Sequence, residues 1–173
     1  GYRKIMVPHD SDEQKKMLRS LINIRMAAPV SDEFQRIQDE YLQEENRKRG
    51  IVELSALTPV QNEIYLWRGD ITRLACGAIV NAANSGMTGC YQPCHNCIDN
   101  IQLRNYCSDL MEKQGHEEPT GMAKITPAFN LPCEYVIHTV GPIVRGKLTA
   151  LHRRQLSSCY RSCMELADQN QVC

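Results

Sequence analysis

From Asn62 onward the chain alternates short apolar runs with turn residues: Ile64 to Trp67, Ala78 to Val80, Ala123 to Ile125 and Tyr135 to Val140. Apolar runs bounded by Gly, Pro, Asn and Asp read as strands. Leu156, Cys159, Tyr160, Cys163 and Ala167 then recur at helical spacing, which predicts a closing amphipathic helix. Strands alternating with helices bury their apolar faces in a layered α/β domain. No internal repeat or low-complexity segment disturbs that pattern.

The preceding segment has a different texture. Ser11 followed by Gln14 is a capping-box pattern, and Met17, Leu18, Leu21, Ile22 and Ile24 give an apolar face to a helix from about Ser11 to Met26. Pro29 ends that stretch. Ser31, Asp32 and Glu33 open a second helix with Phe34, Ile37, Tyr41 and Leu42 on one face, and Gly50 closes it. The charges from Glu44 to Arg49 read as a solvated face. Residues 1–60 are therefore expected to be a helical extension and residues 61–173 the α/β domain.

A chain of 173 residues, 42% hydrophobic, suits one domain with an appendage. Lys and Arg total 20 and so do Asp and Glu, so no net field holds nucleic acid or an anionic membrane. An anionic ligand has to be gripped locally. No stretch approaches the roughly 18 apolar residues of a membrane span, and Gly1 to Asp10 lacks a signal-peptide run, so a cytoplasmic location is expected. Nine cysteines cannot all pair internally. Cys76, Cys107, Cys133, Cys159 and Cys163 sit singly in apolar or helical patterns and read as small buried hydrophobes.

Three groups of residues carry chemistry. Asp70 follows the first strand of the domain, where a chain leaves a sheet edge; it reads equally as an acceptor for an exocyclic amine such as adenine's and as a helix N-cap before Ile71. Asn81 and Asn84, with small residues between them and Ser85 and Gly86 after, can hydrogen-bond sugar hydroxyls or form an ordinary turn. Cys90, His95 and Cys97 fall within eight residues. Two thiolates and an imidazole suit zinc, and three protein ligands leave the open position of a catalytic site. Cys94 as a fourth ligand closes the shell; adjacent residues seldom reach one ion together, which favours Cys94 as a bystander. A redox pair of Cys94 and Cys97 is the runner-up, but such a motif should open a helix directly after a strand. Asp99 can orient a water or a metal-bound histidine. His138, inside the apolar run Val136 to Val140, reads as a satisfied core histidine.

The run GDIT at Gly69 to Thr72, IVNAANS at Ile79 to Ser85 and HTVGP at His138 to Pro142 resemble the macrodomain family, whose members bind ADP-ribose. The run GCYQPCHNCIDN at Gly89 to Asn100 is similar to the insert of the family's zinc-containing, sirtuin-linked branch, as is the helical extension with Asn23, Arg25 and Gln38 to Gln43. The resemblance implies a three-layer α/β/α fold with a mixed sheet. It implies that Asp70 and the Ile71 backbone hold the adenine end and that Asn81 and Asn84 face the distal ribose, with Cys97, Ile98 and Asp99 also on the ligand. Zinc on Cys90, His95 and Cys97 would stand beside that ribose, and Asn81 and Asp99 would serve catalysis. Family members hydrolyse ADP-ribose esters on carboxylate side chains, reversing a partner sirtuin-type transferase, with a lipoyl-carrier protein as substrate.

Two departures from the family pattern stand out. Several small residues that wrap the distal ribose are missing between Asn100 and Ile101, and the chain stops before the strand and glycine-rich loop that follow, so the C-terminal part of the fold is expected to be absent. Those departures, with a zinc shell closed by Cys94, make an ADP-ribose-binding module without turnover the alternative to a hydrolase. A nucleic-acid-binding zinc knuckle lacks the basic stripe and aromatic platforms it needs.

Overall fold

The computed structural model describes residues 5–91 and 100–172. Helix α1 spans Ser11–Ile24 and α2 spans Asp32–Arg49. The capping box expected at Ser11 is corrected by one residue: the Asp10 carboxylate accepts from the amides of Asp12 and Glu13, both at 3.0 Å. Gln14 Nε2 instead donates to the Pro8 carbonyl at 2.7 Å. An ionised acceptor is favoured over a hydroxyl at the positive end of a helix. At α2 the cap is the expected Ser31, and Gly50 ends the helix at φ 78°. α1 stops at Ile24, short of Met26, because Arg25 turns extended and the last carbonyls find a partner outside the helix.

Two short pairings follow. β1 (Val52–Glu53) lies parallel to β4 (Leu74–Ala75), and β2 (Pro59–Gln61) pairs antiparallel with β3 (Ile64–Tyr65). Segment 1–60 thus contributes β1 and the start of β2 as well as two helices.

The main sheet is formed by β5 (Ala78–Ala83), β6 (Ala123–Pro127) and β7 (Tyr135–Val140), in the order β5-β7-β6. β7 runs parallel to β5 and antiparallel to β6, a mixed sheet with β7 central. Val136 is 0% exposed there and packs with Ile79, Ala128 and Cys133. A β-branched side chain buried to that degree stabilises the fold by about 2 kcal/mol.

Helix α3 (Ile101–Gln114) lies on one face, where Cys107 meets His138, and α4 (Ala150–Gln169) covers the other, where Cys163 meets Thr139. Alternate residues of β7 point to opposite faces, so the three layers follow from its period of two. The sequence reading found the end of α4 but not its start, where Thr149 and His152 form a capping box. It missed α3 altogether. Asn100 Oδ1 caps that helix by accepting from Gln102 and Leu103, and Gly115 ends it at φ 75° in the left-handed region.

Side chains of α3 fasten the N-terminal helices to the domain. Asn105 exchanges two hydrogen bonds with the backbone of Ala28, at 3.0 and 2.9 Å. Arg104, only 6% exposed, donates from Nη1 to the carbonyls of Ile22, Asn23 and Arg25. Those carbonyls lie where α1 stops, and that of Ile22 also accepts from the Arg25 amide. Among the described residues, no helix is long and apolar enough to cross a membrane.

Candidate active site

The parallel strands β5 and β7 end side by side at Ala83 and Val140. The ends of parallel strands open the crevice in which α/β sheets hold ligands. Here a cavity of about 810 Å³ opens, with Asn81, Asn84 and Cys90 on the β5 side and His138 and Gly141 on the β7 side. Arg104 and Cys107 of α3 and the acidic pair Glu117 and Glu118 complete its wall. Cavities of several hundred Å³ accept ligands of nucleotide size.

The loop leaving β5 is pinned from within. Asn84 Nδ2 donates to the Gly89 carbonyl at 2.7 Å, and the Met87 amide donates to the Asn84 carbonyl at 3.0 Å. Met87, Gly89 and Tyr91 all take positive φ, at 59°, 85° and 52°. Arg104 Nε donates to the Thr88 carbonyl at 2.9 Å, and its guanidinium lies over the Tyr91 ring at 4.8 Å. Across the cavity the Glu118 amide donates to the Ser85 carbonyl at 2.9 Å. The Glu118 carboxylate, in turn, takes the Lys124 ammonium at 3.1 Å and a Gln114 amide proton at 2.9 Å. That pairing neutralises a carboxylate on the wall that an anionic ligand must approach.

The structure brings Asn81, Asn84 and Cys90 together on one cavity wall. His138 is a satisfied core histidine but also belongs to the wall. Its Nδ1 is 3.1 Å from Asn81 Nδ2 and its Nε2 is 3.0 Å from Thr126 Oγ1, while burial lowers its pKa to about 4. Asp70 and Ile71 do not line this cavity. Asp70 caps the 3-10 turn Ile71–Arg73, accepting from the Thr72 amide at 3.0 Å and the Thr72 hydroxyl at 2.7 Å. The Thr72 hydroxyl bond holds its pKa below the usual value, and Arg49 stands 3.5 Å away. Four sequence candidates, His95, Cys97, Ile98 and Asp99, lie outside the described residues, as does Cys94. Cys90 itself is disulfide-bonded in the structure. Arg104, Glu118 and Thr126 escaped the sequence reading.

The model of the Macro domain family matches residues 80–173, which include the ends of β5 and β7 and the cavity between them. The chain belongs to the macrodomain family. It is 57% identical over 183 aligned residues to a protein-ADP-ribose hydrolase of Treponema medium, covering 99% of this chain and 70% of that protein. A protein-ADP-ribose hydrolase of Staphylococcus aureus (strain MRSA252) is 42% identical over 177 residues, covering 97% of this chain and 66% of its own. This macrodomain therefore stands among the family's protein-ADP-ribose hydrolases. Among solved structures, the Trypanosoma brucei macrodomain in complex with ADP-ribose superposes with a TM-score of 0.58 at 27% identity, covering 86% of this chain and 67% of that one. The Oceanobacillus iheyensis macrodomain with ADP gives 0.52 at 34% identity, over 60% and 56%. The expected macrodomain α/β fold is borne out.

Proposed function

We propose that this macrodomain is a zinc-dependent hydrolase that removes ADP-ribose from ester-linked Asp and Glu side chains. The observation that carries the reading is the meeting of Asn81, Asn84 and Cys90 on one cavity wall at the ends of two parallel strands. A sugar-binding pair of amides and a soft metal ligand then face the same ligand.

In this reading Asn81 and Asn84 hold the hydroxyls of the distal ribose. The loop that begins at Asn84 needs little reorganisation on binding, because the Gly89 carbonyl and Arg104 already hold it. Asp70 holds the adenine end. Its carboxylate is ionised and keeps lone pairs beyond those used by Thr72 and Arg49, so it can accept from an exocyclic amine. Ile71 offers its backbone beside it.

Cys90, His95 and Cys97 form the donor set for zinc, and the chemistry of two sulfurs and an imidazole fits that ion. Zinc bound there supplies Lewis-acid polarisation of an oxygen. Cys90 must be a thiolate to act as a ligand, so the reading commits to the reduced protein. Asp99 orients the attacking water and takes its proton, and Asn81 fixes the ribose against it. The substrate is an ADP-ribosylated protein; by family resemblance we assign a lipoyl-carrier protein as substrate and a sirtuin-type transferase as the partner that modifies it.

Incubating reduced protein with a substrate that carries ester-linked ADP-ribose, with and without a zinc chelator, tests the reading. Release that stops on chelation and returns with added zinc is expected. Release insensitive to chelation removes zinc from the proposal, and binding of ADP-ribose with no release in either condition leaves a reader module.

A further inference from the structure

Asn81, His138 and Lys124 are register partners across β5, β7 and β6, so their side chains share one face of the sheet. His138 is 1% exposed and has a partner at each ring nitrogen. Its other neighbours leave it neutral. Burial pushes the Cys107 thiol, 4.0 Å from Nε2, up to about 11, so no thiolate is there to stabilise an imidazolium. The Lys124 ammonium is taken by Glu118.

A neutral imidazole has one N–H and one lone pair, and the partners decide which nitrogen has which. Thr126 Oγ1 reaches the Val136 carbonyl at 3.5 Å as well as His138 Nε2 at 3.0 Å. A hydroxyl has one proton. Directed at the Val136 carbonyl, which can only accept, it leaves the hydroxyl's lone pairs for an N–H at Nε2. Nδ1 is then the acceptor, and Asn81 must turn its Nδ2 toward it, as observed at 3.1 Å. The Asn81 carbonyl oxygen is the branch left for the cavity.

We propose that His138, held as the Nε2–H tautomer by Thr126, is a positioning residue that locks the Asn81 amide with Oδ1 toward the ligand, so that the site selects a hydroxyl donor. The inference rests on the reading that Asn81 contacts the distal ribose. A flipped amide presents N–H groups to the same hydroxyl, which can answer only by rotating its own proton away from the partner it otherwise serves.

Thr126→Val and Thr126→Ser separate this role from bulk packing, because valine keeps the shape and removes the acceptor while serine restores it. Long-range proton–nitrogen NMR of the ligand-free full chain reads the His138 tautomer directly, and calorimetry with ADP-ribose reads its consequence. Expected are a protonated Nε2 and bare Nδ1 in the wild type, a shift toward the Nδ1–H form in Thr126→Val with affinity down about tenfold, and recovery of both in Thr126→Ser. An Nδ1–H tautomer in the wild type overturns the proposal even if the valine variant fails to fold. A tautomer shift with unchanged affinity overturns it as well. Wild-type protein that binds no ADP-ribose sinks the functional reading instead, and the ligand-free tautomer still decides how Asn81 is held.

Discussion

The guanidinium of Arg104 donates from Nε to the carbonyl of Thr88 across 2.9 Å. The same group satisfies three carbonyls where α1 ends. One buried cation thus ties the N-terminal helices to the loop that carries Asn84 and Cys90. Arg104→Met should destabilise the fold by about 3 kcal/mol, since it strips a charged donor from several buried carbonyls. Arg104→Lys should recover part of that, because an ammonium lacks the planar fork that reaches both sides. Urea midpoints check both. Equal midpoints for wild type and Arg104→Met would show that the linkage carries no stability.

Gly121 makes a second test of packing. It sits at φ +93°, and a Cβ there would lie 2.9 Å from Ser158 Cβ on α4. Its amide donates to the Val140 carbonyl at 2.8 Å and its carbonyl accepts from Ser162 at 2.8 Å, so the turn cannot move away freely. Gly121→Ala combines left-handed strain with a clash against a fixed carbon, and a loss of about 2 to 3 kcal/mol is expected. Thermal melting reads it. A melting point within a degree or two of wild type means that the turn relaxes.

Burial of neutral His138 makes stability depend on pH. Its pKa is about 4 in the folded protein against an ordinary 6.5, so the unfolded chain binds the extra proton between those values. The contribution is therefore complete above pH 6.5 and is lost as pH falls toward 4, up to about 3 kcal/mol. Asp70 and Glu45 have lowered pKa values, so their contributions are lost only as pH falls below their ordinary values of 3.8 and 4.5, at the acid end of the His138 window and beneath it. Denaturant titrations at pH 7 and pH 5 test this. Stability unchanged between them contradicts a neutral, buried His138.

Much of this architecture was legible in the sequence because its elements follow a simple period. Tyr135 to Val140 is the strand as read, and Ser31 and Gly50 bound α2 as their chemistry requires. Helix α3 was hidden because Gln102, Arg104 and Asn105 interrupt its apolar face. In the folded chain those polar groups bond to backbone and side chains of the N-terminal segment, Arg104 buried and Gln102 and Asn105 partly so. Asn100 and Gly115, a cap at each end, were the signal that remained. Asn81, Asn84 and Cys90 were readable as a cluster because they lie close together in sequence, Asn81 on β5 and the other two on the loop that leaves it. The contributions of His138 and Glu118 were not, since only the sheet register and the turn before β6 bring them to the wall, and Thr126 acts from behind the wall through His138 Nε2.

The zinc reading separates two near neighbours. If Cys90, His95 and Cys97 are the ligands, Cys94→Ser removes no donor and should keep both zinc and activity in reduced protein. Cys97→Ser should lose both, since a largely protonated hydroxyl replaces a thiolate. Zinc stoichiometry, with circular dichroism to confirm folding, distinguishes them. Loss of zinc in Cys94→Ser with retention in Cys90→Ser overturns the assignment.

The claim on which the rest depends is that the cavity between the ends of β5 and β7 holds ADP-ribose. Calorimetric titration of ADP-ribose into the reduced full chain and its Asn81→Ala variant tests it most directly, with melting curves to show that both are folded. One-to-one binding by the wild type is expected, with an affinity at least about tenfold weaker in the variant, where a hydrogen-bonding amide is lost from the wall. Equal affinity in the two proteins, or no binding by the folded wild type, would contradict it.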